Sequence, residues 1–318
     1  MTLAVPEPRG GLDYPRTLRE FNAFFPDERA CLDYLARLRW PGGFACPTCG
    51  GRRAWRMSKG RNLRCAACRA DVSVTAGTIF ADTRLPLSVW FAAAWYAASQ
   101  KPGVSALGLK RILGLGSYET AWALLHKLRR AMVRPGRELL SGELEVDESY
   151  LGGPRPGRRG RGALGKQIVA IACEALPRGA IGRIRIARIP DCGEQVLSGF
   201  VQEVAEPGSV VYTDHWSGYN GLGAAGFEHW PTNISASGDP AHVATPRVHR
   251  VASLLKRWLL GTHHGGVKPG QLDRYLQEFV FRFNRRSSRH RGLVFYRLLR
   301  QAIQAEPIPF DRLIAQRL

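Results

Sequence analysis

Two sets of residues in this 318-residue chain have the types and spacing to do chemistry. The first is cysteine. Cys46, Cys49, Cys65 and Cys68 follow the pattern C-x2-C-x15-C-x2-C. Each C-x2-C sets two thiols on one tight turn, and two such turns can close a tetrahedral shell around a structural zinc ion. Gly50, just after the first pair, suits that turn. Two disulfides are the competing reading, and they fit poorly with a reducing compartment. Cys31, Cys173 and Cys192 stand alone and read as small buried hydrophobes.

The second set is acidic. Asp147 lies in "GELEVDESYLGG", among alternating apolar residues, and Asp214 closes the apolar run "SVVYTD". A charge in a buried strand needs a partner or a metal. Two carboxylates at neighbouring strand ends can hold two hard cations about 4 Å apart, the arrangement used for in-line displacement at phosphorus. Taken alone, a structural salt bridge accounts for such aspartates equally well. Glu148 alternates to the opposite face of the strand. Asp147 precedes Asp214 by 67 positions, His249 follows Asp214 by 35, and Lys256 follows His249 by seven. In "VHRVASLLKR", Val251, Leu254, Leu255 and the following Trp258 recur at helical spacing. His249 and Lys256 then lie about two turns apart on one helix face.

The elements that must hold these groups can be read in outline. Residues 17–39 read as helical, with Pro26 at a helix start. The Arg-rich stretch between the cysteine pairs reads as short hairpin strands. Residues 85–133 read as several helices. "SALGLKRILGLGSYETAWALLHKLRRAM" divides at "GLGS" into a helix-turn-helix pattern, whose second helix can enter a major groove. Many helix pairs with a glycine turn bind nothing, so the charge at the helix end matters. Lys127, Arg129 and Arg130 can reach phosphate there, or complement the helix C-terminus. Past Pro135 the pattern changes to strand, strand, strand, helix, strand and helices, an α/β order. The first two strands are joined by "GGPRPGRRGRGALGK", a loop, or an arm in which Arg158 and Arg159 order against phosphates.

Charge points to a class of partner, unless it is only the solubility surplus of an Arg-rich genome. The chain has 46 Lys+Arg against 26 Asp+Glu, a net of +20. That field favours a polyanion. Arg52, Arg53, Arg56, Lys59, Arg61, Arg64 and Arg69 crowd the cysteine region, as a phosphate-contacting surface requires. No apolar run approaches the 18 residues of a membrane span, and no basic amphipathic helix stands out as a membrane anchor. "MTLAVPEPRGGLDYPRT" lacks the basic head and apolar stretch of a secretory signal. The expectation is a cytoplasmic, nucleoid-associated protein that binds double-stranded DNA.

The segments "CPTCG…CAAC", "EVDESYLGG", "YTDHWSGY", "SLLKRWLLGTHH" and "LQEFVFRFNRR", spanning residues 46–286, together resemble the DDE-type bacterial insertion-sequence transposases that begin with a zinc ribbon. The resemblance implies a ribonuclease-H-like mixed sheet with flanking helices, preceded by the ribbon and a helix-turn-helix-like region. It implies a helical segment over 1–40, the ribbon over 41–75, a helical DNA-binding region over 76–134, the catalytic domain over 135–304 and a tail over 305–318. Asp147 and Asp214 would then hold catalytic Mg2+ or Mn2+. A third ligand comes from the following helix, usually glutamate and sometimes asparagine; here His249 takes its place. Imidazole suits Mn2+ better than Mg2+. Glu278 is the fallback ligand. Lys256 would contact DNA near the transposon end, and residues 1–134 would recognise the terminal repeats. Joining two ends implies at least a homodimer. The implied activity is end cleavage followed by strand transfer. The alternative is a catalytically impaired, transposase-derived DNA-binding protein that lost its site at His249.

Overall fold

The computed structural model describes residues 7–57, 61–152, 165–232 and 245–315. The chain divides into two compact units, Met1–Arg134 with Ser287–Leu318, and Pro135–Arg286.

In the first unit, local sequence starts and stops the helices. Thr17 caps α1 (Leu18–Phe24) by accepting from the Glu20 N–H, and Asp27 caps α2 (Glu28–Arg39) by accepting from Ala30. The stretch read as helical over 17–39 is therefore two helices, broken at Pro26. The ribbon follows as three antiparallel strands in sequential order, β1 (Ala54–Arg56), β2 (Asn62–Cys65) and β3 (Asp71–Ser73). Helix α3 (Leu87–Ser99) buries Trp90, Phe91 and Trp95. Helix α4 (Ala106–Leu113) ends on left-handed Gly114, at φ 63°, and Ser117 caps α5 (Tyr118–Ala131) by accepting from Thr120. "GLGS" thus carries both the stop and the start signal. Most of α5 is buried, with Trp122, Leu124, Leu125, His126, Leu128 and Arg129 all inside. Tyr118 and Glu119 are its exposed residues.

The second unit is a mixed sheet. Its strands are β4 (Glu143–Leu151), β5 (Gln167–Ala175), β6 (Ile181–Ile189), β7 (Val210–Asp214) and β8 (Glu228–Thr232), in the order β6-β5-β4-β7-β8. The first three form an antiparallel meander, while β4, β7 and β8 run parallel. Helix α6 (Glu194–Val204) makes the crossover from β6 to β7. This is the ribonuclease-H-like arrangement that the sequence led us to expect. Alternation divides the sheet into two faces. Leu144, Val146 and Val211 pack with Leu197, Phe200 and Val201 of α6. Val169, Ile171, Cys173 and Ile184 pack on the other face with Val251 and Leu255 of α7 (Pro246–His263) and Leu276 and Phe279 of α8 (Leu272–Phe283). The outer strand β6 is covered by Asn284, whose amide accepts from the Ile184 N–H at 2.8 Å and donates to its carbonyl at 3.1 Å.

Two features depart from the sequence reading. Strand β8 was not anticipated, because Pro231 and the 55% exposed Trp230 do not read as a strand. An edge position tolerates both. Helix α9 (Arg291–Ala302) groups with the first unit, and the second unit ends at Arg286 rather than 304. The cause is apolar. Phe295 is fully buried, with its ring centroid 5.6 Å from those of Phe21 and Trp95 and 5.8 Å from that of Phe25. Helix α10 (Phe310–Ala315) buries Leu313, so the expected tail is partly structured.

Phe295→Ala should destabilise the first unit by about 3–5 kcal/mol, the usual loss for a buried ring. Hydrogen exchange should quicken across α3 and leave the β4–β5 ladder unchanged. Equal quickening in both would contradict this assignment of α9.

Candidate active site and metal centre

Asp147 sits on β4 and Asp214 at the end of β7, in adjacent parallel strands. The ladder pairs Glu143 with Val210, Leu144 with Val211 and Glu145 with Tyr212, a constant offset of 67. Continued by one pleat, that offset sets Asp147 beside Asp214. The 67-residue spacing in the sequence equals the offset of this ladder. Adjacent strands lie about 4.8 Å apart, and paired residues share a face. Both aspartates fall on the face covered by α7, the face of Glu145 and Tyr212. Each carboxylate is oriented by the backbone next to it. Asp147 Oδ1 accepts from the Glu148 N–H at 2.8 Å, and Asp214 Oδ1 accepts from the Trp216 N–H at 3.2 Å. The Trp216 indole donates to the Cys192 carbonyl at 2.8 Å, which anchors the turn after Asp214. Gly218 is required there: a Cβ on it would lie 2.4 Å from the same carbonyl oxygen.

His249 projects from the first turns of α7, with Nδ1 3.6 Å from Asp147 Oδ2 and its side chain 31% exposed. That separation is long for a hydrogen bond and suits two ligands of one cation. Glu148 turns to the opposite face, as alternation requires, and accepts from the Tyr219 hydroxyl at 3.0 Å. Tyr219 is fully buried. Burial, then the charges of Glu148, Asp147 and Asp214, hold its hydroxyl well above the usual phenol range, so it stays a donor. Lys256 lies on α7, as expected; burial and nearby Lys166 lower its pKa, and Asp147 opposes them. Glu278, the fallback ligand, is 1% exposed and pairs with Arg282 on its own helix at 3.5 Å. Among the described residues, the group of three or more His, Cys, Asp or Glu ligands within 4.8 Å of one another is the four cysteines. The structure thus brings His249 to Asp147 and sets Asp214 on the neighbouring strand, without gathering all three that closely.

The cysteines form two matched knuckles. The Gly50 N–H bonds to the Cys46 carbonyl at 2.9 Å, and the Arg69 N–H to the Cys65 carbonyl at 3.1 Å. Sulfur separations are 3.7 Å for Cys46–Cys68 and 3.6 Å for Cys49–Cys65. An ion bound about 2.3 Å from four tetrahedral sulfurs separates them by about 3.8 Å, so the donors fit zinc. All seven cysteines are free thiols, which removes the disulfide reading. Charge supports the fit. Desolvation pushes the Cys46 thiol up, but the N–H groups of Cys49 and Thr48 overcome it and bring it down to about 6. The Gly51 N–H favours a Cys49 thiolate, but Cys68 and Cys65 outweigh it and hold Cys49 up at about 12. Four thiolates this close need a cation between them.

Of the basic residues read from the ribbon sequence, Arg52 and Arg53 are exposed. Arg56 is paired with Asp33, Arg61 with Glu28 and Arg64 with Asp71. Arg69 takes the left-handed position that Gly50 fills in the other knuckle, at φ 63°, and stacks over exposed Trp55 at 4.8 Å. Lys127 is half-buried; desolvation lowers its pKa and Asp82 opposes that shift. Lys59, Arg158 and Arg159 lie outside the described residues. The sequence reading missed Glu145, Trp216 and Tyr219. Alternation in "ELEVD", which puts two acids on one buried face, was the one signal for Glu145.

Comparison with known proteins gives two family matches: the ISXO2-like transposase domain over residues 139–284, and the transposase zinc-ribbon domain over residues 26–71. The second match extends the ribbon region back across α2. The chain is also 26% identical over 278 residues to an uncharacterized protein in transposable element ISH50 of Halobacterium salinarum, covering 81% of this chain and 91% of that protein. No helix of the described residues is long and apolar enough to cross a membrane.

Metal analysis of the purified protein should find one equivalent of zinc. Cys65→Ser, which removes a fully buried ligand, should lose it and loosen the ribbon strands. A metal-free protein with an ordered ribbon would contradict the assignment.

Proposed function

We propose, for a chain that belongs to the DDE-type insertion-sequence transposases with an N-terminal zinc ribbon, that it cuts the ends of its element and joins them to target DNA. The observation that carries this reading is the pair of aspartates on adjacent parallel strands, with His249 3.6 Å from Asp147. Asp147, Asp214 and His249 would hold Mg2+ or Mn2+. Such an ion, when bound, supplies activation of the attacking oxygen and charge stabilisation at phosphorus.

The reaction is two displacements at phosphorus. Water attacks a phosphodiester at the element's end, and the bond to the 3′ oxygen breaks, leaving a 3′-hydroxyl and a 5′-phosphate. The 3′-hydroxyl then attacks a target phosphodiester, forms the new strand and releases a target 3′-hydroxyl. Both carboxylates are held by backbone N–H groups before substrate arrives, so the chain meets charge with oriented groups. Lys256, two turns beyond His249 on α7, would hold a phosphate near the reacting bond. Arg52 and Arg53 would contact the backbone of the end DNA, and Arg158 and Arg159 belong to the same proposal. Two ends brought together require at least two copies of the chain. A DNA-binding protein without catalysis is the second reading, favoured by imidazole at the third position.

Purified protein, its own end DNA and either Mg2+ or Mn2+ give the test. Asp147→Asn and Asp214→Asn should abolish cleavage while DNA binding persists. His249→Ala should weaken cleavage, and His249→Glu should keep or raise it in Mg2+, since that ion prefers oxygen. Native-level cleavage by His249→Ala in both metals would remove His249 from the site. Cleavage by His249→Glu with none by the native protein would select the second reading.

A further inference from the structure

We propose that Glu145 is a positioning residue that sets His249 against Asp147, a role that rests on the reading of His249 as a ligand. Glu145 lies two residues before Asp147 on the same face of β4, with its side chain 3% exposed. Its carboxylate accepts from the first turn of α7. Oε2 accepts from the Arg247 N–H at 2.7 Å and the Val248 N–H at 3.0 Å, and Oε1 accepts from Arg247 Nη1 at 2.7 Å.

The first N–H groups of a helix lack partners within it. In α7 the residue at the cap position, Thr245, makes no side-chain cap bond. Glu145 does that work from a neighbouring strand, with its negative charge at the positive end of the helix. Arg247 widens the anchor. Its Nε donates to the Ala180 carbonyl at 3.2 Å and its Nη2 to the Leu176 carbonyl at 3.0 Å, both in the turn between β5 and β6. The first turn of α7 is therefore tied to the meander at two places.

Geometry then does the rest. Two residues beyond Glu145 is Asp147, and two residues beyond Arg247 is His249. The clamp and the ligand pair are consecutive rungs between the same strand and the same helix. Packing alone does not call for a carboxylate here. A buried ion pair is often no more stabilising than apolar residues of the same volume. What the pair adds is a fixed register between strand and helix, on the scale of ångströms that ligand geometry demands.

The test uses the full chain, hydrogen exchange over residues 246–250, and Mn2+ alone as the probe, followed by its spin resonance signal. Glu145→Ala should speed exchange there by roughly tenfold, the size of a lost helix cap, and leave the β4–β5 ladder protected. Mn2+ affinity should fall by about 10–100-fold. Glu145→Gln, which keeps shape and one acceptor, should fall between. In a His249→Ala background, Glu145→Ala should cause no further loss of Mn2+ affinity. Unchanged affinity in Glu145→Ala, an additive loss in the double variant, or lost β4–β5 protection in Glu145→Gln would each overturn the proposal. His249→Ala alone reads the underlying assignment. Unchanged Mn2+ affinity there removes the ligand reading; a loss there with none in Glu145→Ala removes the positioning role alone.

Discussion

Two like charges on adjacent parallel strands constrain everything around them. The pairing of β4 with β7 runs through Glu145 and Tyr212, and its offset carried two residues further leads to Asp147 and Asp214. Repulsion between such carboxylates has to be offset by donors or by a cation. The sheet fixes their spacing, and local backbone N–H groups fix one oxygen of each. Trp216 and Gly218 hold the turn after Asp214. On the far side, Tyr219 is kept as a neutral donor among three acids and holds Glu148 away from the α7 face. The meander β4–β6 and the crossover α6 lead the chain from β4 to its parallel neighbour β7.

Local chemistry was legible in the sequence, and long-range pairing was not. The zinc knuckles could be read because each is a four-residue turn whose spacing fixes its geometry. The α4–α5 turn could be read because Gly114 and Ser117 are a stop and a start within four residues. Asp147 and Asp214 stood out as charges in apolar strands, and their 67-residue spacing equals the offset of the β4–β7 ladder. Glu145 was passed over, because its partners are 102 and 103 residues away and nothing local marks a buried acid as a helix cap. Strand β8 was passed over because an edge strand is released from apolar alternation. The boundary at 304 came from the resemblance, whereas packing of Phe295 on Phe21, Phe25 and Trp95 groups α9 with the first unit.

Net charge of +20 and the placement of individual cations give different information. The charge favours a polyanion, yet several ribbon arginines pair with Asp33, Glu28 and Asp71 inside the first unit. Among the described residues, the ribbon arginines that face outward are Arg52, Arg53, and Arg69 stacked on Trp55. Arg69 holds a left-handed backbone that glycine adopts more readily. In the helix-turn-helix, Tyr118 and Glu119 of α5 are exposed, and Lys127 and Arg130 are partly so.

The central claim is that Asp147, Asp214 and His249 share the catalytic cation. Anomalous scattering at the manganese edge, from crystals of the protein with its end DNA and Mn2+, tests it most directly. The account predicts a manganese peak bonded to a carboxylate oxygen of each aspartate, with a His249 ring nitrogen in its coordination shell. A peak held by the two aspartates with His249 turned away, or with Glu148 or Glu278 in the third place, would contradict it.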